Sequence, residues 1–366
     1  MDCRIRFDAR FRNPLHVISI VIPPMKIMAH SCLTGPESSP WQRNLLYQLY
    51  TKSTPRLHEW TEDPEEADII FLTGTERKGV STLRQDPFPR RYPEKSFVLS
   101  EQDEAPFLMA GIYPSAPREL FGRGRFRSGS YGLHQLDFRN PLIENYDYGK
   151  KDSNPPPDLL ASFLGRNSHA LRRQLFRLKF PSGKILIEDT SHFNAFTHDL
   201  EGKREGWNRY LAVSLRSKFM LCPRGTGPAS IRLFEALKLG VAPVVIADDW
   251  LPCEGPDWDK FTVFVREDET EALETILEKA ESTFLQRGEL ARRAYDEYFS
   301  PTAYFNYLVT AVRSIKKTRV IPERCFVLAW PAGRVLRSVR QKISGWPLRR
   351  IANGAKRRAR RLVGAS

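Results

Sequence analysis

The chain has 366 residues, of which 41% are hydrophobic and 27% charged, more than one ordinary core holds and suited to two domains of roughly 150 residues each. Its net charge of +14 is uneven: eleven lysines and arginines and no acid fall after residue 330, which leaves +3 for the rest. That near-neutral body lacks the basic face of a nucleic-acid-binding fold, and no apolar run reaches the ~20 residues of a membrane-spanning helix.

The apolar stretch from Val17 to Ala29 is short and broken by Pro23 and Pro24, and no small-residue cleavage site follows it to mark a secretory signal. From about residue 15 to 150 short apolar runs alternate with polar stretches, as strands and helices of an α/β layer do. Ala67–Leu72 and Ser96–Leu99 are predicted strands, and Thr61–Glu66, with Pro64, a helical turn leading into the first. Lys150–Asp158 reads KKDSNPPPD, and three consecutive prolines make a stiff spacer. The predicted division is a first domain over 1–150, a linker over 151–157, a second domain over 158–300, a helical segment over 301–330 and a basic tail over 331–366. The five cysteines (Cys3, Cys32, Cys222, Cys253, Cys325) show no CxxC or zinc-knuckle spacing. They predict a reducing compartment with neither a disulfide framework nor a structural zinc.

The second domain opens with a predicted strand, Leu159–Leu164, ending at Gly165, and a helix over Ser168–Leu178. The richest stretch follows: a strand over Lys218–Cys222, a glycine loop over Pro223–Gly227, a helix over Pro228–Leu239 stopped by Gly240, and a strand over Ala242–Ala247. This is a βαβ unit, and ligands of open α/β sheets bind at the carboxyl ends of the strands. Free amides at the helix start attract anions, and glycines let a phosphate approach. Arg224 and Arg232 add bidentate donors, and Glu235 can accept from a ribose diol. Arg232 and Glu235, three apart, could equally pair on the helix face. The loop is neither GxGxxG nor a Walker loop, which disfavours a dinucleotide or ATP-hydrolysing site.

Ser217-Lys218-Phe219, Cys222-Pro223-Arg224-Gly225, Ser230-x-Arg232-Leu233-Phe234-Glu235-Ala236-Leu237 and Asp248-Asp249-Trp250-Leu251-Pro252 together resemble the C-terminal part of the exostosin-type (GT47-like) glycosyltransferase domain. Tyr210 and Trp258-x-x-Phe261 extend the resemblance, as do Phe163-Leu164-Gly165 with Arg172 and the Asp63–Asp68 element, so that it spans about residues 25–300. It implies a GT-B architecture: two Rossmann-like domains facing across a cleft. It also implies inverting transfer from a nucleotide-sugar, usually a UDP-sugar, to a glycan or lipid-linked hydroxyl. By position Arg224 and Arg232 would hold the diphosphate with Gly225 and Ser230, Glu235 the ribose, and Arg172 a further cation, with Arg166 in the turn above it. Trp250 would lie near the cleft.

No metal is expected at the diphosphate, and the literal DxD at Asp257-Trp258-Asp259 reads as loop acids. An inverting transfer needs a base from the first domain. Asp103, after the Phe97–Leu99 strand, is the first candidate and His30 the second. The competing expectation is a glycan-binding or scaffold protein that kept the fold. Animal and plant members of the family carry an N-terminal membrane anchor. None is read here, so a cytoplasmic protein is expected, with the tail, in which Val335, Leu336, Val339 and Ile343 interleave with arginines, either a solvated, disordered basic end or resting on an anionic bilayer.

Overall fold

The computed structural model describes residues 23–32, 41–74, 80–103, 107–132, 139–153, 155–193 and 200–328, and the expected basic tail lies outside them. Strands β1 (Lys26–Ser31), β2 (Glu59–Trp60), β3 (Ile69–Thr73), β4 (Ser96–Leu99), β5 (Gly111–Ile112) and β6 (Phe126–Arg127) form one sheet in the order β2-β1-β3-β4-β5-β6. Strands β7 (Leu159–Gly165), β8 (Ile185–Asp189), β9 (Ser217–Pro223), β10 (Ala242–Ile246) and β11 (Val263–Phe264) form the other, in the order β8-β7-β9-β10-β11. Every pairing is parallel. The two sheets therefore share one winding, in which the second strand lies outside the first and the chain then reverses direction. Ligands bind where such a sheet reverses. These points fall between β1 and β3 and between β7 and β9.

Helices on both faces make the central strands apolar throughout: β3, β4 and β10 are buried at every residue. Helix α1 (Trp41–Lys52) packs on β1, and α2 (Val80–Gln85) and α3 (Phe88–Arg91) follow β3. Around the second sheet lie α4 (Pro141–Glu144), α5 (Ala170–Leu175), α6 (Leu200–Leu215), α7 (Ile231–Leu239), α8 (Trp258–Phe261), α9 (Leu273–Ala280) and α10 (Phe284–Ala294). Helix α11 (Tyr304–Thr318) returns to the first sheet, against α1 and β5, and α12 (Glu323–Leu328) reaches α3.

Three boundaries differ from the sequence reading. Helix α7 begins at Ile231 instead of Pro228, with Ser230 as its N-cap. Helix α5 is one short stretch capped by the imidazole of His169, which accepts from the Leu171 amide. The chain also leaves the first domain before its prolines: Glu144 of α4 pairs with Lys238 of α7 at 3.0 Å, and Lys151 donates to the Gly240 carbonyl at 2.6 Å. A proline run ends an element without saying which core the preceding element covers. Helix α4, with Ile143 buried, packs on α6 and α7 of the second domain. The helical turn expected over Thr61–Glu66 is present as a single turn, closed by Ala67 N–H to the Asp63 carbonyl at 3.1 Å.

The carboxyl edges of the two sheets meet. Arg118, after β5, donates its amide to Asp249, after β10, at 2.7 Å, and Leu251 donates to the Ala116 carbonyl at 3.2 Å. Arg127 Nε pairs with Glu254 at 2.6 Å. Helix α11 closes the join: Tyr304 Oη donates to the Ser130 carbonyl at 2.8 Å and Tyr307 Oη to the Ser128 carbonyl at 2.7 Å. One apolar cluster runs through the join, from Ile27, Phe71 and Phe97 to Met220, Leu233 and Val245. Among the described residues no helix is long and apolar enough to cross a membrane.

Candidate active site

The reversal point of the second sheet is built around Arg172. From α5 its guanidinium reaches both strand ends, donating Nη1 to the Arg166 carbonyl at 3.2 Å, Nη2 to Pro223 at 3.0 Å and Nε to Arg224 at 2.8 Å. These carbonyls shape the loop, and Gly225 lets the loop lie close: a Cβ there would sit 3.2 Å from Arg172 Nη2. Burial and the neighbouring Arg232 charge disfavour the Arg172 cation, and Asp103 across the cleft favours it. Two guanidinium groups held together away from water are a standing attraction for an anion.

Arg232 is aimed at the end of β7. Its Nε donates to the Leu164 carbonyl at 2.7 Å, and its plane lies 5.1 Å over the Phe163 ring. Gly165 leaves room there, since a Cβ would fall 2.8 Å from Arg232 Nη2 and 2.6 Å from Phe163 Cζ and displace those side chains. One turn further along α7, Glu235 accepts a hydrogen bond from Tyr210 Oη at 2.5 Å. It does not form the close ion pair with Arg232 that their spacing permits. Burial raises its pKa above the ordinary carboxylate value, against the pull of Arg232 and the Tyr210 hydrogen bond.

Two buried donors lack partners. Ser230 Oγ, at the mouth of α7, makes no cap bond, and Arg224 Nε makes none either. Buried polar atoms of this kind are normally satisfied, and these two, on the loop before α7 and at its N-cap, are available to a ligand. Arg224 Nη1 has only distant carboxylates, Glu267 at 3.6 Å and Asp249 at 3.8 Å. Arg166 lies exposed at the rim.

Trp250 is the correction to the expected set. It is 1% exposed, forms an isolated bridge with Pro117 of the first domain, and meets Trp258 edge-on at 5.1 Å. It fastens the two domains, with its side chain buried at the join. Of the DxD acids, Asp257 precedes α8 and pairs with Lys260 at 3.1 Å, whereas Asp259 lies in the first turn of that helix and not in a loop, and the tryptophan between them is buried.

Asp103 faces this loop from the first sheet. Its Oδ1 accepts from Tyr131 Oη at 2.8 Å, and Ser115 Oγ, 2.9 Å from that phenol oxygen and 3.4 Å from Oδ1, has one proton to give to either. Burial and Asp103 hold the Tyr131 pKa far above its ordinary value, so the phenol remains a donor. Gly227 of the glycine loop abuts this group so closely that a Cβ would lie 2.5 Å from both the Asp103 carbonyl and Ser115 Oγ. The structure thus brings Asp103, Arg172, Arg224, Ser230, Arg232 and Glu235 to one junction. His30 is not part of it: the ring pairs with Asp86 at 2.7 Å and stacks on Phe88 at 3.8 Å. Ser115, Tyr131 and the role of Tyr210 were not foreseen. The glycine-spaced run Ser128-Gly129-Ser130-Tyr131-Gly132 was the available signal for Tyr131.

Two parallel sheets confronting each other at their carboxyl edges, with cations on one side and a carboxylate on the other, define the GT-B class, a glycosyltransferase architecture. The chain belongs to the exostosin family: it is 36% identical over 324 residues to the Exostosin-1 homolog of Caenorhabditis elegans, a match covering 75% of this chain and 81% of that protein. The Exostosin GT47 domain profile matches residues 134–280. A probable glucuronosyltransferase of rice (Oryza sativa subsp. japonica) is 52% identical over 64 residues, 17% of this chain and 15% of that protein. A second, probable glucuronosyltransferase GUT1 of rice, is 48% identical over 64 residues, again 15% of its length.

Proposed function

We propose that the protein is an inverting glycosyltransferase that moves a sugar from a nucleoside diphosphate sugar, of the uridine type, to a glycan or lipid-linked hydroxyl. The observation that carries this reading is the pair of unpartnered buried donors, Ser230 Oγ and Arg224 Nε, at the mouth of α7. In this reading the diphosphate lies on the α7 amides between Arg224 and Arg232, and the ribose hydroxyls donate to Glu235. Asp103 takes the proton of the acceptor hydroxyl as its oxygen bonds the anomeric carbon from the face opposite the departing diphosphate. The C–O bond to the diphosphate breaks, and its electrons stay on the leaving group, where the preorganised cations and amides stabilise the developing charge. That charge is met by protein groups, with no metal assigned to it. The names of the rice relatives make a glucuronosyl donor the first to try.

The deciding experiment incubates the full chain with a panel of nucleotide-sugars and follows slow hydrolysis, with uridine diphosphate binding measured by calorimetry. Hydrolysis of one donor, lost in Arg224→Ala, supports the proposal. Uridine diphosphate that neither binds nor raises the melting temperature leaves a glycan-binding scaffold as the better reading. The basic tail is proposed to hold the enzyme on anionic bilayers near membrane-borne acceptors. A chain ending at Ala329 should then lose vesicle binding.

A further inference from the structure

The reversal point of the first sheet, between β1 and β3, also gathers chemistry. His30 lies near the end of β1, Cys32 just beyond it on the same face, and Asp86 between α2 and α3. One ligand atom of each lies within 4.8 Å of the others. Cys32 is 1% and Asp86 5% exposed, whereas the His30 side chain is 22% exposed. The supports of a metal site are present too. The second oxygen of Asp86 accepts the Phe88 amide at 2.8 Å, and the Phe88 ring lies 12° from parallel with the imidazole. The backbone of Cys32 is tied to β3 through the Thr73 carbonyl at 2.9 Å.

We propose that His30, Cys32 and Asp86 bind one divalent cation of the zinc class, leaving a fourth position open on the solvent side of His30. Bonds of about 2.0–2.3 Å in a tetrahedron hold ligand atoms roughly 3.3–3.8 Å apart. The observed separations, 2.7 Å for His30 to Asp86 and at most 4.8 Å across the set, bracket that range. A thiolate, an imidazole and a single carboxylate suit zinc and its neighbours, while magnesium and calcium need oxygen-rich cages. The thiol proton passes to solvent as the cation binds. Spacing along the chain hides the site, because its ligands come from two segments 56 residues apart. This is a site of the first domain and does not rest on the proposed transfer reaction.

The test uses the full, tag-free chain, stripped with chelator and titrated with Zn2+ and with Co2+. The expected result is one equivalent bound, a Co2+ spectrum with a thiolate charge-transfer band, and a raised melting temperature. Cys32→Ser and His30→Gln should each weaken binding at least tenfold, and Cys32→Ser should abolish the band. Cys325→Ser, at an exposed cysteine, should change nothing. Melting curves of the metal-free variants that match the parent show that the fold survived. Binding below a fifth of an equivalent, or a Co2+ complex unchanged in Cys32→Ser, overturns the proposal.

Discussion

The two sheets are wound alike and reverse at equivalent places, yet the reversal points carry opposite chemistry. Between β7 and β9 stand Arg172 and Arg224, with Arg232 aimed at the same strand end. Between β1 and β3 stand an imidazole, a thiol and a carboxylate. Topology thus decides where a ligand is received, and a handful of side chains decides which ligand. Asp103 stands apart from both sets: it leaves the edge of the first sheet after β4 and completes the junction opened by the second.

The sharpest way to break this comparison is Asp103→Asn. If the first sheet supplies the base, turnover falls about 10²–10⁴-fold while uridine diphosphate affinity by calorimetry stays within twofold. A loss of affinity would place Asp103 on the donor side instead. Arg224→Ala tests the other side. Turnover should fall about 10²–10³-fold, and nucleotide affinity should fall with it. The seat of α12 on the first domain is probed by Glu323→Gln. Glu323 is fully buried and pairs with Arg125 at 2.5 Å, so the change leaves a buried guanidinium without its counter-charge. Denaturant unfolding should show a loss of about 3–5 kcal/mol.

The smallest expected effect concerns pH. The Glu235 pKa is raised in the folded protein, and ribose hydroxyls are best accepted by its ionised form. Donor affinity should therefore fall as pH drops through that raised pKa, and Glu235→Gln should flatten the profile. The folded state also holds this proton more tightly than the unfolded state does. Its contribution to ligand-free stability is thus full at acid pH and lost as pH rises through the same value. Ligand-free stability and donor affinity should shift in opposite directions over one window.

How much of this was legible depends on the range of the cause. Apolar runs bounded by glycine and proline located β3, β4, β7, β9 and β10 and the αL stop at Gly240, because period and punctuation are local properties. The cations of the donor loop were legible for the same reason, as they sit within one βαβ unit. Trp250 was misread because a motif position carries no burial: the same tryptophan beside a strand end can face a cleft or, as here, close a bridge to Pro117. The contacts of Glu144 and Lys151 with the second domain were not legible, because prolines report backbone stiffness and not the partner of the preceding segment.

By itself the amino-acid order determined that two α/β halves exist, that the second gathers glycines and arginines after one strand, and that the body is nearly neutral. Those follow from hydrophobic period, glycine placement and charge count, each summed over neighbours in the chain. Only the tertiary structure decided that Asp103 meets the donor loop through Gly227, that Tyr131 and Ser115 hold it, and that His30, Cys32 and Asp86 converge. Those contacts join residues far apart in the chain, and it is the winding of the sheets and the burial of their faces that bring such residues together.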